Sequence, residues 1–265
     1  MEIFVLKSDE VAAITRGTHG NPHHILGMHQ CLNDCYVNAY LPRATAAFVL
    51  RINEETGEPI FKYPMTEIGS QGFFTVKIED SGAFAYKLIT EGEQAAEFYD
   101  PYSFGYSVDP VNVMKVVNGD DGILSDFHVK DLFGARQITL DGVQGVSFCM
   151  NMPGATRVSV VGDFNGWDGR VNPMRRIDYT DMFELFIPGD LMNTRYKFEA
   201  LYRDGNTDIF ADPYAEVYEV APGNASVLAK LEYSWSDSSY MKKRGSVSAP
   251  VNIYEVHMPT WKRNS

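Results

Sequence analysis

The sequence predicts an all-β protein that contains two copies of one module. Aromatic residues are frequent, with 16 Phe, 15 Tyr and 3 Trp among 265 residues, and aromatic side chains favour β-strands. The chain also has 22 Gly and 13 Pro, which break it into runs of about five or six residues, the common strand length. Landmarks that recur in both halves divide these strands into two modules.

Alternating apolar and polar residues predict four strands in the first half of the chain. Turn residues separate the strands: Pro42 follows the first, Gly57 follows the second, and Ser81-Gly82 precedes the fourth. The predicted strands are residues 36–41, 48–52, 73–78 and 84–89.

The second half repeats this plan at a nearly constant distance. Phe73 and Tyr86 each lie 110 residues before an identical residue, Phe183 and Tyr196 respectively. Two longer landmarks recur at distances of 111 and 112 residues: Pro42-Arg43-Ala44 with Pro153-Gly154-Ala155, and Asp100-Pro101-Tyr102 with Asp212-Pro213-Tyr214. The strands predicted here are residues 145–150, 157–161, 183–187 and 195–200. Two related β-modules of about 90 residues each are therefore predicted.

Two further elements are predicted outside the modules. Residues 126–133 are expected to form a short connecting helix, because Asp126 can cap its N-terminus and Gly134 suits the left-handed position after its C-terminus. Residues 252–258 alternate as one more strand, for which neither module offers an evident partner.

The charge balance limits the kinds of partner that the chain can have. It has 23 Lys and Arg against 35 Asp and Glu, a net charge of −12, which argues against nucleic acid or an anionic membrane as the main partner. No apolar run approaches the roughly 18 residues of a membrane span, and residues 1–7 do not resemble a signal peptide. Cys31, Cys35 and Cys149 predict reduced thiols in a cytoplasmic protein rather than a disulfide framework.

The most informative segment follows a predicted strand and forms a tight turn, Gly162-Asp163-Phe164-Asn165-Gly166-Trp167. An exposed Trp offers a flat surface for the C–H face of a sugar ring, and Asn, Asp or Lys side chains bind the hydroxyls. Strand alternation turns Lys197 away from a core-facing Tyr196 and Phe198, so Lys197 can join Trp167 at such a site. The alternative is that Trp167 packs over the module and Lys197 is merely solvated.

Other chemical motifs give weaker signals. His23, His24 and His29 lie close together, but no set of ligands at metal-site spacing accompanies them. Carboxylate groupings such as Asp120-Asp121 lack the placement around a bond that general acid–base catalysis requires. The sequence has no phosphate loop and no dinucleotide-binding motif. It therefore predicts no cofactor, no metal site and no catalytic residue.

Ordered motifs over about residues 21–263 resemble the N-terminal portion of bacterial 1,4-alpha-glucan branching enzymes. These motifs are Asn21-Pro22-His23-His24-Ile25-Leu26-Gly27-Met28-His29, Asp100-Pro101-Tyr102, Phe133-Gly134-Ala135, residues 157–170, Asn172-Pro173-Met174-Arg175, residues 183–189, Tyr196-Lys197-Phe198-Glu199, Ala211-Asp212-Pro213-Tyr214-Ala215 and residues 252–263.

The resemblance implies two tandem immunoglobulin-like β-sandwiches with a short helical connector, followed by the orphan first strand of a (β/α)8 barrel. The second sandwich is expected to be a family 48 carbohydrate-binding module. The expected organisation is an N-terminal tail at 1–20, the first sandwich at 21–107, a connector at 108–140, the carbohydrate-binding sandwich at 141–233, and a linker with the barrel strand at 234–265.

The resemblance also implies a function in glycogen biosynthesis. The chain is expected to bind α-1,4-glucan (glycogen or maltooligosaccharides) and to position the catalytic barrel of the same enzyme, which rebuilds α-1,4 linkages as α-1,6 branches. The family's catalytic aspartate and glutamate lie on the barrel, so the chain alone is expected to be inactive. Trp167 and Lys197 carry over as glucan contacts, with Asn165 and Asn224 as further candidates.

Two departures from the family pattern leave other functions open. Asn151-Met152-Pro153 replaces a usual Trp-Ala-Pro run, and Ile209 and Phe210 stand where a second Trp often precedes the Asp-Pro corner. A pair of modules that packs on a barrel and binds no sugar is therefore an alternative. Catalysis by these residues themselves is another, but it needs an acid pair that the sequence does not supply.

Overall fold

The structure is a computed structural model that describes residues 6–69, 71–79, 81–93, 95–119, 132–229, 234–243 and 254–257. Its chain divides into two compact units, Met1–Ala229 and Lys230–Ser265. The first unit contains both predicted modules, and strands dominate it. The all-β prediction is confirmed.

The first module consists of two antiparallel four-stranded sheets. One sheet has the strand order β1-β2-β6-β5 and the other β4-β3-β7-β8. Val37, Val49 and Leu88 lie in the buried apolar cluster that forms its core. The strands are β1 (Gly27–Cys31), β2 (Asp34–Tyr40), β3 (Ala44–Ile52), β4 (Pro59–Pro64), β5 (Thr66–Ile68), β6 (Phe73–Ile78), β7 (Tyr86–Gly92) and β8 (Ala96–Tyr99).

The second module has the same plan, with nine described strands. One sheet has the order β12-β13-β10-β9 and the other β11-β14-β17-β16, and β15 also pairs with β14. Phe148, Phe183 and Phe198 are fully buried in its core. The strands are β9 (Gly134–Leu140), β10 (Val143–Asn151), β11 (Ala155–Gly162), β12 (Arg175–Arg176), β13 (Met182–Pro188), β14 (Arg195–Tyr202), β15 (Thr207–Phe210), β16 (Val217–Tyr218) and β17 (Ser226–Val227).

The topology explains the sequence repeat. The order β1-β2-β6 in the first module matches β9-β10-β13 in the second, and β3-β7-β8 matches β11-β14-β15. Seven of the eight strands predicted from sequence correspond to inner strands of these sheets, and the eighth, residues 157–161, corresponds to β11 at a sheet edge. The edge strands β4 and β5 were not predicted, because proline stands at both ends of β4 and β5 has three residues.

The recurring Tyr and Asp landmarks form the same buried hydrogen bond in each module. The Tyr86 hydroxyl donates to Asp100 at 2.6 Å, and the Tyr196 hydroxyl donates to Asp212 at 2.6 Å. Each aspartate also accepts the backbone N–H two residues further on. Burial raises the pKa of Asp100 to about 6 and also raises the pKa of Asp212. The landmarks therefore recur because each pair ties strand β7 or β14 to the corner that closes its module.

The first helix, α1 (Ser8–Thr15), lies in the segment that the sequence predicted to be a tail. Its Ile14 is buried in an apolar cluster with Leu26, Tyr40 and Phe73. The segment is therefore packed on the first module through Ile14, with Leu6 and Val11 partly buried against the same cluster.

The connector contains a helix that the sequence did not predict, α2 (Pro110–Val117). Four of its eight residues are Val, which favours strands. It forms because Asp109 accepts the N–H of Val111 at 2.9 Å, Pro110 occupies the first turn, and Val113 is fully buried. The helix predicted at residues 126–133 lies almost entirely outside the described residues.

The second unit is described at residues 234–243 and 254–257 only. It contains a short helix, α3 (Ser238–Lys243). Residues 254–257 of the predicted barrel strand form neither helix nor strand, so that strand stays a prediction. Within the described part of the chain, no helix is long and apolar enough to span a membrane.

Candidate functional site

The candidate site is built on the turn that follows strand β11. The chain leaves the strand at Gly162, makes a single 3-10 turn over Asp163–Asn165, and continues through two residues with positive φ, Gly166 (65°) and Trp167 (63°). Such angles are uncommon for a bulky residue, so the turn needs hydrogen bonds that fix Trp167 in this conformation.

Asn165 supplies these hydrogen bonds from inside the turn. Its Oδ1 accepts the backbone N–H groups of Gly162 (2.9 Å) and Trp167 (3.2 Å), and its Nδ2 donates to the Val160 carbonyl and to Asn172 Oδ1, both at 2.8 Å. The side chain is buried and fully engaged. Asn165 therefore holds the turn, and it is not placed to contact a glucan as the sequence led us to expect.

Trp167 is the exposed aromatic residue of this turn. The residue keeps 38% of its surface accessible, and its indole N–H donates to Asp163 Oδ1 at 3.2 Å. Phe164, two residues after Gly162, packs against the buried core instead, with its ring centroid 6.3 Å from that of Phe148. The core-covering position that the alternative hypothesis gave to Trp167 is therefore taken by Phe164.

Asp163 connects Trp167 to strand β14. Its carboxylate accepts two hydrogen bonds from the Arg195 guanidinium, each at 2.9 Å, and Arg195 also pairs with Glu219 at 3.1 Å. The Arg195 guanidinium lowers the pKa of Asp163. These three charged residues were not identified from the sequence, although Arg195 lies two positions before Lys197 and hence on the same face of the strand.

Lys197 and Asn224 lie together at the surface of the same sheet. Tyr196 and Phe198 point into the core as predicted, and Lys197 between them is half-buried on the outer face. The Lys197 ammonium donates to Asn224 Oδ1 at 2.6 Å. Asn224 is exposed, and the next residue, Ala225, donates its backbone N–H to Glu219 at 3.0 Å. Asp163 thus links Trp167 to Arg195 through hydrogen bonds, and Arg195 and Lys197 lie two positions apart on strand β14.

This arrangement suits the binding of a sugar better than its chemical conversion. A fixed, exposed indole is bonded to a carboxylate that pairs with a guanidinium, and strand β14 with the loop before β17 adds an ammonium and an amide. Together these groups offer a stacking surface and donors and acceptors for hydroxyls. Asp163 is ion-paired with a lowered pKa, so it does not hold a proton that a general acid could donate.

The histidine cluster does not form a metal site in the described residues. No group of three or more His, Cys, Asp or Glu side chains there is arranged to hold a metal ion. His23 is instead buried against Tyr102, with ring centroids 5.0 Å apart, and burial together with the nearby Arg175 lowers its pKa to about 3. It acts as a neutral packing residue.

Comparison with known families gives each module a relative. Residues 7–102 match the N-terminal domain of the alpha-1,4-glucan branching enzyme GlgB, and residues 132–215 match carbohydrate-binding module 48, the isoamylase N-terminal domain. The chain corresponds to the N-terminal part of a GlgB branching enzyme. The match to the GlgB N-terminal domain begins at residue 7, so this domain includes helix α1.

Curated GlgB proteins match almost the whole chain. The 1,4-alpha-glucan branching enzyme of Paramagnetospirillum magneticum is 36% identical over 264 residues, which is 98% of this chain and 34% of that protein. The enzyme of Rhodospirillum rubrum is 36% identical over 268 residues, 96% of this chain and 35% of that protein. The chain thus spans about a third of the length of these GlgB relatives.

Solved structures include pullulanases with partial similarity. A pullulanase mutant from Paenibacillus barengoltzii in complex with maltotetraose is 33% identical over 29% of this chain and 12% of that chain, with a TM-score of 0.27. A Bacillus subtilis pullulanase in complex with maltose is 16% identical over 77% of this chain and 26% of that chain, with a TM-score of 0.33.

Proposed function

We propose that the second module binds α-1,4-glucan through Trp167, Lys197 and Asn224. The observation that carries this proposal is the exposed indole of Trp167, whose N–H donates to Asp163 while Asn165 accepts the backbone N–H of the same residue. Lys197 and Asn224 supply a donor and an amide at the surface of the adjoining sheet. The assignment of the module to carbohydrate-binding family 48 supports the same ligand class.

In a GlgB enzyme this site would hold a glucan chain near the protein while branching takes place elsewhere. We infer that the chain positions the catalytic barrel of the same enzyme and does not itself transfer glucan. The buried, unpaired cysteines Cys31, Cys35 and Cys149 fit the cytoplasmic location that the sequence predicts.

The affinity of the chain for maltoheptaose tests the proposal. We expect a Kd of about 0.1–1 mM, which corresponds to about 4–5.5 kcal/mol. Trp167→Ala should abolish measurable binding, because the stacking surface is lost. Tyr179→Ala is the matched control, since Tyr179 is 98% exposed and belongs to a different loop. Equal affinity of Trp167→Ala and the unaltered chain would reject the site.

A purely structural function has one observation in its favour. Phe210, which stands where a second tryptophan is often found, packs on Phe198 with ring centroids 6.3 Å apart and belongs to the periphery of the core. It is therefore not available as a second stacking surface. If the unaltered chain binds no maltoheptaose, packing on a barrel becomes the preferred function of both modules.

A further inference from the structure

The turn that carries Trp167 is contacted by residues of the first module. Arg43 lies in the loop between β2 and β3, and its Nη2 donates to the backbone carbonyl of Asn165 at 3.2 Å. Asn165 is the residue whose side chain fixes the N–H of Trp167. A first-module guanidinium thus holds the backbone of the residue on which the conformation of Trp167 depends.

Gly166 makes room for this contact. A Cβ atom at residue 166 would lie 1.9 Å from Arg43 Nη2 and 2.6 Å from its Cζ, so the guanidinium occupies the place where a side chain would be. The φ angle of 65° at Gly166 is also one that favours glycine. Glycine at position 166 therefore meets two requirements, the space that Arg43 occupies and the backbone angle directly before Trp167.

Tyr102 makes a second contact, with residues that follow Trp167 in the chain. Its hydroxyl group lies within hydrogen-bond distance of two carbonyl oxygens, 3.1 Å from that of Val171 and 3.2 Å from that of Pro173, and its proton is shared between them. Tyr102 belongs to the corner of the first module, where its backbone N–H is held by Asp100. The corner that closes the first module is therefore also attached to the end of the loop that follows Trp167.

Arg170 provides a third contact, between the other two. It forms two hydrogen bonds with Asp168, at 2.9 and 2.7 Å, and its guanidinium lies 5.8 Å from the ring centroid of Tyr40. A Cβ atom at Gly17 would lie 2.8 Å from Arg170 Cγ, so the segment after helix α1 also packs closely on this side chain. The first module and its N-terminal segment thus contact the loop before Trp167, at residues 165 and 166, and after it, at residues 170, 171 and 173.

We propose that the first module is a positioning element for the glucan-binding turn, with Arg43 and Tyr102 as its positioning residues. The inference rests on the proposed function of Trp167. A binding loop that is already held in its bound conformation loses less conformational freedom when a ligand arrives, which increases affinity. The first module contributes to glucan affinity in this way without touching the sugar.

Arg43→Ala and Tyr102→Phe in the full chain test this inference. Arg43 is exposed, so its removal should be tolerated, and Tyr102→Phe keeps the ring while it removes the hydroxyl. Each variant should weaken maltoheptaose binding by about three- to tenfold and speed up hydrogen exchange at the amides of residues 163–171. Arg43→Lys should recover part of the loss. Arg203→Ala, which removes an exposed arginine of the β14–β15 loop, should change neither measurement.

The outcomes separate the two proposals. If the unaltered chain binds maltoheptaose and both variants bind it equally well with unchanged amide exchange, the positioning inference is overturned and the glucan site stands. If faster exchange accompanies unchanged affinity, positioning of the turn has no effect on binding and the inference is also overturned. If the unaltered chain does not bind at all, the proposed function fails, and the positioning inference fails with it.

Discussion

At the scale of single residues, two members of the turn motif have different functions. Asn165 and Trp167 belong to one motif, and the sequence suggested that both contact glucan. The structure buries Asn165 and engages its side-chain atoms with the turn, with Val160 and with Asn172, whereas it leaves Trp167 exposed. Sequence indicates that a Gly/Asn/Asp turn carries a Trp. It does not indicate which polar side chain faces inward.

Lys197 offers a test for which the repeat itself supplies the control. Lys197→Met should weaken maltoheptaose binding about three- to tenfold, because one charge-assisted donor to a hydroxyl is lost while the aliphatic stem remains. Lys87→Met changes the equivalent residue of the first module, where the ammonium pairs with Glu97 at 2.7 Å, and should leave the affinity unchanged. A calorimetric titration that shows the same loss for both variants would remove Lys197 from the site.

At the scale of elements, the hydrogen-bonded Tyr and Asp pairs give the most specific link between sequence and fold. The spacing of 110 residues between Tyr86 and Tyr196 pointed to equivalent strands, and the structure assigns them to β7 and β14. Their partners Asp100 and Asp212 recur because each carboxylate is buried and needs the phenol as a donor.

The stability of each module should therefore depend on its phenol. Tyr196→Phe leaves the buried Asp212 with one donor fewer and should lower the free energy of unfolding by about 1–3 kcal/mol. Tyr86→Phe should have a similar effect in the first module. Tyr179→Phe, at a residue that is 98% exposed, is the control in denaturant unfolding. Unchanged stability of both buried variants would show that these pairs do not hold the corners.

The elements that sequence analysis missed share a physical cause. Helix α2 is rich in Val, so local preference favours a strand, and its cap at Asp109 and the burial of Val113 outweigh that preference. Helix α1 leaves little sequence signal because it has only eight residues, and few apolar side chains, chiefly Ile14 with Leu6 and Val11, pack on the first module. Short elements that are held by tertiary contacts leave little signal in a single sequence.

At the scale of the whole molecule, the repeat and the family motifs predicted two modules, but not how the modules meet. Arg43 and Asn165 are 122 residues apart, and Tyr102 and Val171 are 69 apart. No periodic pattern marks such contacts, because each is made by one loop residue and a backbone carbonyl. They are nevertheless the contacts through which the first module reaches the turn that carries Trp167.

The most direct test of the account is an NMR titration of the full chain with maltoheptaose. The account predicts that the indole N–H signal of Trp167 and the side-chain amide signals of Asn224 shift together with a single Kd of about 0.1–1 mM, and that Trp167→Ala removes the shift at Asn224. Signals that move only at residues away from the turn and strand β14, or a spectrum that does not change up to several millimolar sugar, would contradict it.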